Sequence, residues 1–245
     1  MTYLQFHFYF IVPPLILLAA GRPWRRVDGR ALRFLLLLAL IAFLYATPWD
    51  NYLVWRGAWT YDPDRVAGVV GYVPIEEYLF FILQPLLTGC WFYHLMGREG
   101  QAHVKQAAPG FGNHVRIAGA LSYVVAAVAG AFCLTRPEGT YLGLILVWAA
   151  PILAAQWAYS GHRILTYRRS ALLGVAVPTL YLCVADAIAI RAGIWRISDA
   201  HSFGLELFGL PIEEAVFFLV TNIMVVQGLL LFIAPSPSAR SRIDA

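Results

Sequence analysis

Long apolar runs alternate along the chain with short polar stretches rich in Arg, Pro and Gly, and most runs are long enough for a helix to cross the hydrocarbon core of a bilayer. The runs cover Tyr3 to Ala20, Ala31 to Ala46, Val73 to Leu95, Val115 to Leu134, Tyr141 to Tyr159, Ala171 to Ile190 and Leu210 to Ala234. Inside hydrocarbon every backbone N–H and C=O must find a partner within its own segment, so each run predicts a helix and not an open strand. The expected fold class is an all-α integral membrane protein with seven transmembrane helices. The opening Met-Thr-Tyr-Leu-Gln-Phe lacks the positive charge that begins a signal peptide, which predicts a retained first helix.

Composition agrees, with 60% hydrophobic and 13% charged residues, against roughly 45–50% and 25% for an ordinary soluble domain. Lys and Arg number 18 against 14 Asp and Glu. The basic residues cluster between the apolar runs, as at a membrane surface, and no nucleic-acid partner is expected. Most of them fall in the segments after the first, third and fifth runs and in the tail. The positive-inside bias then places the N-terminus outside and the C-terminus in the cytoplasm, with residues 235–245 as a disordered cytoplasmic tail. Cys90, Cys133 and Cys183 all lie within apolar runs and are expected to act as buried hydrophobes.

The segments after the second and sixth runs repeat one another. The first reads Asp50, then Arg56-Gly57-Ala58-Trp59, then Val73-Pro74-Ile75-Glu76-Glu77-Tyr78-Leu79-Phe80-Phe81. The second reads Asp186, then Arg191-Ala192-Gly193-Ile194-Trp195, then Leu210-Pro211-Ile212-Glu213-Glu214-Ala215-Val216-Phe217-Phe218. The spacing from Asp to Gly-x-Trp is identical, and that from Trp to Pro differs by one residue. Three helices per copy plus one connecting helix give two copies of the same orientation, a parallel repeat. The expected organisation is a first repeat over 1–96, a connector with the fourth helix over 97–138, and a second repeat over 139–234.

Pro at the first helical position followed by carboxylates in the first turn is ordinary helix-start chemistry. Four carboxyls at the mouths of two membrane helices are nevertheless costly to place without a use. Glu76 and Phe80, Glu77 and Phe81, Glu213 and Phe217, and Glu214 and Phe218 are each four residues apart, so each carboxyl shares a helix face with an aromatic ring. Adjacent Glu residues diverge by about 100°, and spacing alone does not choose between them. Asp50 and Asp186 end the second and sixth helices and are expected to meet the Glu pairs. Grouped buried carboxyls can keep a proton for delivery to an alkene. Trp59, Trp195, Tyr78, Phe80, Phe81, Phe217 and Phe218 offer aromatic faces suited to a carbocation, although membrane-interface belts also use such residues.

No dinucleotide or P-loop motif is present, the six His residues show no metal-ligand spacing, and the aspartate-rich motifs of membrane prenyltransferases are missing, so neither cofactor nor metal is expected. Asp62-Pro63-Asp64 reads as a solvated turn.

At these residues the chain resembles the membrane-integral lycopene cyclases, found as paired small subunits, as fused single chains and as the cyclase half of fungal bifunctional enzymes. The likeness covers nearly the whole chain and rests on a Pro-x-Glu-Glu/Asp motif in each half, here Pro74 to Glu77 and Pro211 to Glu214. It implies conversion of the open ψ-ends of lycopene to ionone rings, β rings being expected, without net redox change. It also implies Glu76, Glu77, Glu213 and Glu214 as acid and base, Asp50 and Asp186 as tuning or relay groups, and the aromatics as the cation shield. Expected partners are the carotenoid substrate, the lipid bilayer and other carotenoid-biosynthesis enzymes. Three further readings stay open: a cyclase for an elongated or monocyclic carotenoid, a small proton-coupled carrier, and a non-catalytic membrane scaffold. The acids lie near one face and no run is visibly interrupted, which favours an enzyme over a carrier.

Overall fold

The computed structural model describes residues 1–99 and 113–232. The expected tail, residues 235–245, and residues 100–112 of the connector lie outside the described residues. Among the described residues, seven helical segments are long and apolar enough to cross a membrane: span 1 (Tyr3–Arg26), span 2 (Ala31–Trp55), span 3 (Ile75–Arg98), span 4 (Asn113–Cys133), span 5 (Pro137–Tyr159), span 6 (Arg168–Arg191) and span 7 (Ile212–Phe232). The protein is thus an all-α membrane protein. Its outer surface is a coat of exposed Leu, Ile, Val and Phe, among them Leu44, Val125, Phe132, Leu172 and Val184, which suits lipid and not water.

Spans 3 and 7 form the centre and touch each other. Spans 1, 2 and 6 surround span 3, spans 2, 5 and 6 contact span 7, and span 4 lies outside against span 5. The last contact is close because glycines face each other: a Cβ on Gly143 would meet the Gly130 carbonyl oxygen at 2.8 Å. Midway through the bundle, Asn222 of span 7 ties three helices together. Its Oδ1 accepts from Gln84 Nε2 at 2.7 Å and Thr88 Oγ1 at 2.6 Å, and its Nδ2 donates to Thr179 Oγ1 at 3.0 Å. Such a network fixes helix register where the apolar faces alone would slide.

Span 1 is irregular. A Thr2 and Gln5 capping box starts it, a π turn occupies His7–Ile11, and Pro13 and Pro14 follow. Pro14 has no N–H for the Phe10 carbonyl four residues back, and the Tyr181 hydroxyl donates to that carbonyl instead, at 2.7 Å.

Spans 2 and 6 end in the same way. Ala58 N–H bonds to Leu53 O and Gly57 N–H to Val54 O; Ile194 N–H bonds to Ala189 O and Gly193 N–H to Ile190 O. This helix stop needs a left-handed residue, and Gly57 (φ +75°) and Gly193 (φ +72°) supply it. The Gly-x-Trp motif is therefore a turn that reverses the chain and delivers Trp59 and Trp195 back over the bundle end. There β1 (Trp59–Tyr61), ahead of the β2 (Val69–Val70) and β3 (Val73–Pro74) hairpin, pairs antiparallel with β4 (Trp195–Ile197), so that Trp59 lies opposite Ile197 and Tyr61 opposite Trp195. A like hairpin, β5 (Glu206–Leu207) with β6 (Leu210–Pro211), precedes span 7. Helices account for the crossing segments, as expected; these short ribbons belong to the connections.

Candidate active site

The carboxyls separate into two kinds. Glu76 Oε1 accepts the Ala67 N–H at 2.8 Å, and Glu213 Oε1 accepts the Phe203 N–H at the same distance. Both side chains are buried and anchor the loop before their helix. Their neighbours, turned about 100° around the helix, point inward: Glu77 and Glu214 line a chamber at the end of the bundle, together with Asp50 and Asp186. Four acidic side chains, from spans 2, 3, 6 and 7, thus converge on one space of about 40 Å³.

Each inward Glu is held by a tyrosine from the first turn of a neighbouring span. Tyr3 donates to Glu77, and Tyr141 donates to Glu214 at 2.8 Å. Each of these rings also rests on the tryptophan of the other half: Tyr3 lies 4.9 Å from Trp195, and Tyr141 lies 5.0 Å from Trp59. The arrangement is not fully matched. Glu77 accepts a second hydroxyl, from Tyr61 at 3.0 Å, and Tyr61 in turn accepts from Trp59 Nε1 at 2.9 Å. The place corresponding to Tyr61 in the second copy is Ile197, which has nothing to donate. Burial first, and Glu77 next, push the Tyr61 phenol well above its ordinary range, so it stays a donor.

Asp50 and Asp186 are each 2% exposed, and each keeps one carboxyl oxygen, Oδ2, without a hydrogen-bond partner. Glu76 Oε2 and Glu213 Oε2 share this feature, and such groups are expensive in an apolar bundle. The remaining wall is aromatic and apolar: Phe6, Phe80, Phe217, Phe218, Leu182 and the two tryptophans. A proton can be held and moved here, and a cation formed here would face π surfaces.

Of the residues predicted from sequence, Asp50, Asp186, Glu77, Glu214, Trp59, Trp195, Phe80, Phe217 and Phe218 line the chamber. Glu76 and Glu213 do not line it. Tyr78 points elsewhere, donating to the Val70 carbonyl and accepting from Asn51, and Phe81 lines an apolar groove beside the chamber. On span 3 the chamber is lined by Glu77 and Phe80, three residues apart, and not by the four-residue pairing expected. Sequence reasoning missed Tyr3, Tyr61 and Tyr141, although Tyr3 and Tyr141 both begin an apolar run. It also set His7 aside with the loop and interfacial histidines, whereas His7 is buried in span 1, its Nδ1 at 3.1 Å from the Tyr3 carbonyl oxygen. Asp62-Pro63-Asp64 is a capped turn as expected; the Asp64 N–H, helped by Arg65, holds the Asp62 carboxyl below its usual range.

The family profile described as lycopene cyclase matches residues 1–95 and 138–232. The chain belongs to the lycopene cyclase family. It is 43% identical over 235 residues to the lycopene beta-cyclase of Halobacterium salinarum, an alignment covering 94% of this chain and 95% of that protein. It is 37% identical to the bifunctional lycopene cyclase/phytoene synthase of Phycomyces blakesleeanus over 92% of this chain and 38% of that protein. The enzyme of the same name from Gibberella fujikuroi is also 37% identical, over 93% of this chain and 39% of its own length. No solved structure matches the chain. Both matched segments of the family profile contain one Pro-x-Glu-Glu motif and one set of chamber residues.

Proposed function

We propose that the chain converts the open end groups of lycopene to β rings by proton transfer within the chamber between Glu77 and Glu214. The observation that carries this reading is the convergence of Glu77, Glu214, Asp50 and Asp186 on one aromatic-walled space. The substrate class comes from the relatives' names. The chemistry follows from the residues.

Two hydroxyl donors on Glu77 stabilise a charged carboxylate, while Glu214 has one. We therefore assign Glu214 as the acid and Glu77 as the base. Glu214 gives its proton to the terminal alkene, and the tertiary cation is attacked by the neighbouring double bond, which closes the ring. The ring cation then loses a proton to Glu77, leaving the ring alkene. One proton enters and one leaves, so the reaction is an isomerisation and needs no electron acceptor. Asp50 and Asp186, which line the chamber with them, return the proton from Glu77 to Glu214. Phe80, Phe217, Phe218, Trp59 and Trp195 stabilise the cation and keep water from quenching it.

We read residues 1–96 and 139–234 as two parallel repeats joined by a connector over 97–138. The recurring Tyr to Glu bonds, the recurring helix stops and the two matched segments of the family profile support this. The Arg-rich ends of the spans lie opposite the chamber, which supports an N-terminus outside and a cytoplasmic C-terminus. A lipophilic substrate reaches the chamber through the bilayer, supplied by other carotenoid-biosynthesis enzymes.

The test is expression in a bacterium that accumulates lycopene, with extracted pigments compared for the wild type, Glu77→Gln and Glu214→Gln. Ring formation by the wild type and its loss in both variants is the expected result. A membrane-inserted wild type that leaves lycopene linear overturns the reading.

A further inference from the structure

Two apolar grooves lie among the spans, the first of them adjoining the chamber. The first, about 150 Å³, lies among spans 2, 3, 5 and 7 and is lined by Ile41, Ala42, Tyr45, Ala46, Trp148 and Met224 among others. The second, about 250 Å³, lies among spans 1, 3 and 6 and includes Pro14, Leu18, Leu87, Val177, Pro178 and Tyr181.

The sequence repeat relates them. The 136-residue spacing between Asp50 and Asp186 places Ile41, Ala42 and Tyr45 over Val177, Pro178 and Tyr181. The two tyrosines make equivalent bonds, Tyr45 donating to the Trp148 carbonyl at 2.9 Å and Tyr181 to the Phe10 carbonyl at 2.7 Å.

The grooves differ at their necks. The first shares Phe80 and Phe217 with the acid chamber, so one wall runs from the groove to the carboxyls. The second shares no lining residue with the chamber. At the neck of the first stands Ala46. The same spacing puts Leu182 in place of Ala46; it is 1% exposed, lines the chamber within one core cluster with Phe80 and Phe218, and does not line the second groove. It carries three more side-chain carbons than Ala46.

We propose that the Ala46 groove alone holds the polyene of the substrate while its end group sits in the chamber, and that the second groove is blind. This rests on the cyclase reading. The occupant is apolar because the groove is, with Gln84, Gln156 and Thr221 as its few polar side chains.

The experiment measures ring formation from lycopene in membranes for the wild type, Ala46→Leu, Ile41→Trp and Val177→Trp, with each protein's membrane level determined by immunoblot. Ile41 and Val177 are at exposed rims, 47% and 40% accessible, so bulk there is compatible with insertion. Ala46→Leu and Ile41→Trp are expected to lower ring formation about tenfold or more, the scale on which apolar pockets discriminate by small volume changes. Val177→Trp in the blind groove should stay within about twofold, as for a surface change. Equal losses from Val177→Trp and Ile41→Trp, or wild-type rates for both Ala46→Leu and Ile41→Trp, overturn the groove assignment while leaving the cyclase reading intact. A wild type that forms no rings overturns the cyclase reading and the groove with it.

Discussion

The Tyr61 hydroxyl donates to the Glu77 carboxyl across 3.0 Å, and the second copy has no such bond, because Ile197 stands where Tyr61 would be. One hydroxyl makes two otherwise similar acids chemically unequal. Tyr61→Phe keeps the ring and removes the donor, leaving Tyr3 as Glu77's single partner. A hydrogen bond to a charged group contributes about 1.5–3 kcal/mol, so ring formation should fall by about tenfold or more. Pigment analysis checks this. Ile197→Tyr should give no gain.

The inward and anchoring carboxyls should respond differently. Glu77→Gln and Glu214→Gln are expected to lower cyclisation by about two orders of magnitude or more, as for loss of an acid or base. Glu76→Gln and Glu213→Gln keep an oxygen for the Ala67 and Phe203 N–H groups, and should retain most activity. The comparison is by rate per membrane-inserted protein. Equal loss in all four would mean that the anchoring pair also carries protons.

Because burial and Glu77 raise the Tyr61 phenol, its folded-state value lies above its unfolded one. The stability it contributes is therefore fully present below the unfolded value, about pH 10, and is lost as pH rises toward the higher folded value. In a spectroscopic phenolate titration of purified protein, Tyr61 should ionise late, above the ordinary tyrosine range. The late-titrating population should shrink in Tyr61→Phe.

Asn222→Ala leaves Gln84 and Thr88 without their shared acceptor in the middle of the bundle. Stranding buried polar groups costs about 1–3 kcal/mol each, and the thermal midpoint in detergent should drop accordingly. The chamber lies at the bundle end, so cyclisation at low temperature should persist.

At Gly57 and Gly193 an Ala would have to adopt a left-handed backbone, at a cost of about 1–2 kcal/mol. Either variant should lower the thermal midpoint. Activity should fall further than stability explains, since Trp59 and Trp195 follow directly in the turn.

Much of this was legible without coordinates. The seven spans follow from run length and hydropathy, and the recurrence of Asp, Gly and Trp at equal spacing marked the repeat; the helices expected to end at Asp50 and Asp186 run on to Trp55 and Arg191, and only the structure shows Gly57 and Gly193 as their stops. The pairing of two adjacent Glu residues was legible as a motif but not as a division of labour. Helical geometry turns neighbours about 100° apart, yet says nothing about which side faces a loop amide and which faces the bundle interior.

The sequence by itself determined that the chain lives in a membrane, that its acids recur in two copies, and that aromatic rings accompany them, because each of these is written in local spacing and composition. Tertiary structure decided the rest. Tyr3, Tyr61 and Tyr141 become partners of Glu77 and Glu214 only when distant segments meet, 74, 16 and 73 residues apart in sequence. Ala46 and Leu182, equivalent in the repeat, acquire different surroundings only in the fold: Ala46 lines the groove that shares Phe80 and Phe217 with the chamber, whereas Leu182 lines the chamber itself. Periodicity reports which face of a helix is apolar; what that face touches depends on packing between helices, and a linear pattern does not contain it.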